Sequence, residues 1–122
     1  MSLGAVTSFV YAQRFGGWKK IKKLLCLAGP FRGTPWANGI FFFKSGRQLL
    51  PHSNFIKQLE REKIFAPNRL ICVTAKHDQF VPKWSSCLHH ARNEEIAIVG
   101  HNNLHIWSKQ VWELVVKEAE KK

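Results

Sequence analysis

Aspartate is nearly absent from this chain. Asp78 is the only one in 122 residues, and the 8 acidic side chains face 19 Lys and Arg, a formal charge of +11. A calcium site needs several acidic oxygens, so a lone Asp argues against one. Zinc is poorly served as well. His101 and His105 could share a helix face, but the glutamate of an H-E-x-x-H motif is missing, with Asn102 and Asn103 filling the early positions, and His89-His90 is no stronger a candidate. No apolar run is long enough to span a bilayer: Ile40-Phe41-Phe42-Phe43 is cut off by Lys44 and Arg47, far short of roughly 18 to 20 residues. Cysteines number three, an odd count, and Cys26 (LLCLA) and Cys72 (LICVTA) sit inside apolar runs where a thiol packs as a small hydrophobe. That argues against a disulfide framework and points to a cytoplasmic compartment. The first residues lack the charged and apolar regions of a signal peptide. Internal repeats, low-complexity stretches and linkers are missing too, which leaves one domain or part of one.

The basic balance favours non-specific attraction to nucleic acid or anionic head groups without naming either. Its densest cluster, Lys19, Lys20, Lys22 and Lys23 beside Trp18, reads as a solvated connection between a helix and a strand, and a nucleic-acid partner is not expected.

Hydrophobic spacing predicts a helix over 3–15, with Val6, Phe9, Val10 and Gln13 on one side and a stop at Gly16-Gly17. A leucine-rich strand over 21–28 ends at Gly29-Pro30, and a turn-rich loop covers 29–38. Two helices, 39–50 and 54–63, are separated by Pro51, with Asn54 as N-cap of the second, and occupy the place of a cap or lid. A strand over 70–75, a helix over 84–91, a strand over 95–99 and an amphipathic helix over 104–120 complete the pattern. Trp107, Val111, Leu114 and Val115 mark the buried face of that last helix. Strands alternating with helices imply an α/β fold: three parallel strands with flanking helices and a small helical cap insertion.

Three residues could cooperate in catalysis. A serine hydroxyl is a weak nucleophile at neutral pH and needs a histidine to take its proton and a carboxylate to orient that histidine. Ser2 precedes Leu3-Gly4-Ala5, where the small Gly4 and Ala5 permit a tight turn into a helix whose first amide, that of Leu3, could face a developing oxyanion. Asp78 follows the strand 70–75, and His101 follows the strand 95–99 after a flexible Gly100. The loops at the carboxyl ends of parallel strands share one sheet edge, so Asp78 and His101 are expected within reach of each other.

The order Ser, Asp, His is that of the α/β-hydrolases. SLGA at Ser2–Ala5, the loop Gly29-Pro30-Phe31-Arg32-Gly33-Thr34-Pro35, the run His77-Asp78-Gln79-Phe80-Val81-Pro82 and Val99-Gly100-His101 together resemble the C-terminal half of lipases and esterases of that superfamily, over essentially the whole chain. The resemblance implies a partial α/β-hydrolase fold and hydrolysis of carboxylic esters with Ser2 as nucleophile, His101 as base, Asp78 as orienting carboxylate and the Leu3 amide as oxyanion donor. It implies no cofactor, and a small-molecule or lipid ester as substrate, with Trp36, Phe41 and Phe42 of the cap lending apolar surface. Phe31 departs from it, standing where those lipases carry a histidine in G-T-P-H-R-G-T. The strand ahead of Ser2, the first Gly of the elbow and the second oxyanion loop are also missing. The isolated chain is therefore expected to be truncated and weakly active or inactive alone, with an N-terminal-half chain or a second copy as partner for the strand 21–28. The alternative is a non-catalytic remnant acting as a basic interaction module or as a subunit completed by a partner chain.

Overall fold

The structure, a computed structural model, describes residues 1–40 and 44–121. Three parallel strands, β1 (Leu24–Leu27), β2 (Leu70–His77) and β3 (Arg92–Val99), form one sheet in the order β1-β2-β3. Cys26 lies opposite Cys72 across the first pair, and Thr74 opposite Glu95 across the second. The central strand β2 is apolar from Leu70 to Val73 and buried through Ala75, as a strand covered on both faces must be. On β3 burial alternates, because one face of that edge strand looks outward.

Two helical layers cover the sheet. Helix α1 (Leu3–Arg14) buries Ala5, Val6, Phe9, Ala12 and Gln13 and ends where Gly16 adopts φ 71°. With α3 (Asn54–Arg61) it encloses a core of Val6, Phe9, Phe31, Leu59, Leu70 and Cys72. On the other face, α5 (Asn103–Ile106) and α6 (Lys109–Glu120) supply Leu104 and Val111 to a core with Ile71, Val73 and Ala75. Two short helices, α2 (Lys44–Gln48) and α4 (Lys83–Ser86), complete the covering elements. Among the described residues no helix is long and apolar enough to cross a membrane. All three cysteines are free, and burial pushes the Cys26 thiol up to about 12.

Several element ends differ from the sequence expectation, some set by a distant side chain and some by a local cap. Strand β1 is four residues long instead of eight, because the Arg69 guanidinium takes the carbonyls of Trp18, Ile21 and Lys22 and holds that stretch out of the sheet. The helix expected over 84–91 stops at Ser86. There Asn93 bonds Leu88 through its amide nitrogen (2.9 Å) and its oxygen (3.1 Å), and so organises a turn that lets β3 begin at Arg92 rather than Glu95. The helix over 104–120 is broken at Ser108, whose hydroxyl caps α6 by accepting from the Val111 amide, and Trp107 is left 77% exposed instead of lying on the buried face. Ser53, not Asn54, caps α3, accepting from the Ile56 amide. Glu62 is extended, so α3 ends at Arg61 rather than Lys63. The helix expected over 39–50 resolves into a 3-10 turn at Pro35–Ile40 and α2; Phe41 and Phe42 lie outside the described residues.

Glu118 fastens α6 to the sheet. Its buried carboxylate accepts from Lys23 (2.7 Å), Arg92 (2.7 Å) and Lys121 (2.6 Å), and these hydrogen bonds hold its pKa down at about 2, from an ordinary 4.5. A carboxyl with a depressed folded pKa stabilises the fold above its unfolded pKa, and that stability is lost as pH falls through the folded value. Thermal melts are therefore expected to hold their midpoint down to about pH 4.5 and to fall steadily toward pH 2. Glu118→Gln should lower the midpoint at neutral pH and flatten the acid limb. An unchanged acid limb in that variant would show that other carboxyls govern it.

Candidate active site

The carboxyl edge of the sheet gathers the loops after all three strands. Past β2, Asp78 folds back on its own loop: Oδ1 accepts from the amides of Phe80 (2.8 Å) and Val81 (2.8 Å), the local turn chemistry that aspartate favours. Val81 is buried and Pro82 stands at the start of α4, so the turn is anchored on its far side. The other oxygen, Oδ2, lies 2.6 Å from His101 Nδ1. The Asp78 side chain is only 2% exposed, and two amides plus an imidazole satisfy a carboxylate that would otherwise be costly to bury.

His101 is placed from β3. Gly100 takes φ 99°, a conformation that L side chains rarely adopt, and a Cβ there would lie 2.9 Å from the Asn103 amide. This turn brings the Gly100 amide onto the His77 carbonyl (2.8 Å) and the His101 amide onto Gln79 Oε1 (3.1 Å). Three bonds thus tie the end of β2 and the loop after it to the loop after β3. With Nδ1 committed to Asp78, Nε2 is the free nitrogen, and it has no hydrogen-bond partner among the described residues. An Nδ1–H donated to a carboxylate fixes the tautomer whose Nε2 accepts a proton.

Ser2 occupies the same edge. Its amide donates to the Leu27 carbonyl at the end of β1 (2.8 Å), and its backbone sits at φ 49°, ψ −128°, a sparsely populated region for a non-glycine residue. Such conformations cost on the order of 1–3 kcal/mol and cluster at reactive turns. Ala28, next to the Leu27 carbonyl, is also at positive φ (45°). Ser2 immediately precedes α1, whose first amides have no partner inside the helix, so the Leu3 N–H is available at its positive end. The Ser2 hydroxyl makes no hydrogen bond among the described residues, to His101 or to any other group. The structure therefore joins Asp78 and His101 directly and sets Ser2 on the edge that carries them.

No family model matches this sequence, and a search of curated proteins finds no match. Among the described residues no three His, Cys, Asp or Glu side chains converge where they could hold a metal ion.

Some neighbours of the site carried no signal in the sequence. Gln79 positions the His101 backbone, yet looks like an ordinary turn residue; only its place beside the lone Asp marks it. The Thr34 hydroxyl donates to the Phe80 carbonyl (2.5 Å) and binds the loop after β1 to that after β2. The Phe80 ring meets the His101 ring edge-on (5.7 Å, 83°), and Trp36 meets Phe80 in the same way (5.9 Å, 75°), so an exposed apolar strip runs outward from the imidazole. Trp36 is thus linked to His101 through the Phe80 ring. Phe31, where the resemblance would place a histidine, is fully buried with its ring edge-on to Phe9 (5.5 Å, 76°) and has no polar role.

Proposed function

We propose that this chain hydrolyses carboxylic esters as a member of the lipase and esterase branch of the α/β-hydrolases, with Ser2, His101 and Asp78 as its triad. The observation that carries the reading is the 2.6 Å contact between His101 Nδ1 and a buried, fully satisfied Asp78, which leaves Nε2 free on the edge where Ser2 stands in a strained turn. In this mechanism Ser2 Oγ attacks the ester carbonyl carbon while His101 Nε2 takes its proton. The carbonyl oxygen, now anionic, meets the Leu3 amide at the helix N-terminus. Collapse of the tetrahedral adduct expels the alkoxide, which takes the proton from His101 and leaves an acyl-serine. Water, deprotonated by the same imidazole, then releases the acid and restores Ser2. The Trp36–Phe80 strip supports an apolar group on the substrate, since a polar one would gain nothing from covering it.

A second reading, a subunit whose sheet is completed by another chain, draws on β1: among the described residues no strand pairs with its outer edge, and its leucines are only partly covered. A fluorophosphonate probe separates the two. Intact-mass and peptide analysis are expected to show one adduct, on Ser2, that is absent in Ser2→Ala and reduced at least 100-fold in rate in His101→Ala. An adduct elsewhere would displace Ser2 as nucleophile, and an unreactive but folded chain would favour the subunit reading.

A further inference from the structure

We propose that the opposite edge of the sheet, where β1 and β2 begin, docks on an anionic lipid surface through Phe15, Phe65 and the lysines around them. The segments that precede these strands are stitched together there. Gln13, buried in α1, donates to the Lys63 carbonyl (3.0 Å) and accepts from the Phe65 amide (3.2 Å) and the Trp18 indole (2.9 Å). Arg69 fastens Trp18, Ile21 and Lys22 by their carbonyls. The ledge is therefore held in place, yet Phe15 and Phe65 are 72% and 73% exposed on it. Two phenyl rings kept in water by a fixed backbone are surface awaiting a partner.

Charge indicates which partner. Lys19, Lys20, Lys22 and Lys63 are exposed on this edge and belong to no ion pair among the described residues. The nearby acids are taken: Glu62 pairs with Arg14, and Glu118 with Lys23, Arg92 and Lys121. Glu120, at the end of α6, is the exposed exception. Phenyl groups flanked by uncompensated lysines match the interface of an anionic bilayer, where rings enter the head-group boundary and each lysine adds attraction. Nucleic acid fits less well. Trp18, the aromatic best suited to stack on a base, is turned inward, with its N–H on Gln13 and Arg69 lying 5.2 Å over its ring. The eight residues of β2 separate this edge from Asp78 by roughly 26 Å, at about 3.3 Å per residue. The proposal therefore stands apart from the hydrolase reading, and its test reads binding alone.

The test is co-sedimentation of the whole chain with vesicles of phosphatidylcholine, or of equal parts phosphatidylcholine and phosphatidylglycerol. Salt-sensitive binding to the second kind only is expected. Lys19→Gln, Lys20→Gln and Lys22→Gln combined should weaken it about 100-fold, at about fivefold per lysine. Phe15→Ser with Phe65→Ser should weaken it about tenfold or more at unchanged net charge. Thermal melts of both variants should match the parent, since the altered side chains are exposed. Equal binding to both vesicle kinds, or indifference to the phenylalanine pair, would overturn the proposal. So would displacement from vesicles by a single-stranded oligonucleotide whose own binding is lost with the three lysines.

Discussion

Asp78→Asn is expected to slow the reaction of Ser2 with a fluorophosphonate by about 10⁴-fold, the loss seen when the same change is made in a well-studied serine protease triad. The folded structure should survive. Asparagine keeps an oxygen where Oδ1 accepts from the Phe80 and Val81 amides, so the turn retains both bonds. What changes is the group 2.6 Å from His101 Nδ1. An amide NH₂ there must donate, so Nδ1 becomes the acceptor and the proton moves to Nε2. A protonated Nε2 cannot accept the serine proton, and the base is disabled without being removed. Asp78→Ala makes the contrast: it removes the turn acceptor as well and should lower the melting temperature, whereas the Asn variant stays within a few degrees of the parent. If Asp78→Asn reacts at the parental rate, the Asp78–His101 contact is a structural link between two loops and the triad reading fails.

How much of this was legible in the sequence depended on the range of the interactions involved. The run Leu70 to Ala75 announces a strand buried on both faces, because no polar side chain but Thr74 interrupts it. The spacing of Val6 and Phe9 places α1 to within a residue of its end. The meeting of Asp78 and His101 follows from topology: residues just past neighbouring parallel strands share an edge. Element ends were not legible where a distant side chain sets them. Nothing near Ile21 shows that Arg69, 48 residues on, takes its carbonyl and stops β1 from starting there. Nothing in the helical pattern of 84–91 shows that Asn93 organises the turn that ends it. Gln79 was invisible for a related reason, since its bond to the His101 amide exists only once Gly100 has turned the chain. Local propensity and periodicity describe what a segment prefers, whereas these side chains act across loops whose approach is known only from the fold.

Phe31→Ala is expected to produce the largest loss of stability in the chain, about 3–5 kcal/mol, the range for deleting a buried phenyl group. A domain of this size has about 5–15 kcal/mol in all, so the variant should melt roughly 10–20 °C lower. Three features make this site unforgiving. Phe31 is fully buried, its ring packs edge-on against Phe9 of α1, and a Cβ on Gly29 would lie only 2.7 Å from it, so the wall opposite has already given up its side chain to make room. Little beside Phe31 can collapse into the space, because Pro30 and Phe9 are held by backbone of their own. Phe31→His separates volume from polarity: it fills most of the cavity but buries two ring nitrogens beside Phe9 and Ala5, and should lie between the parent and Phe31→Ala. The consequence reaches the site through the same loop, since Thr34 holds the Phe80 carbonyl and the Arg32 amide lies 3.3 Å from Ser85. Ser2 reactivity per folded molecule should therefore fall in Phe31→Ala, by far less than in Asp78→Asn, because the carboxylate and its imidazole keep their own bonds. A Phe31→His variant as stable as the parent would mean that the loop can supply polar partners to that side chain, and Phe31 would then be a replaceable residue of the loop and not a pillar of the core.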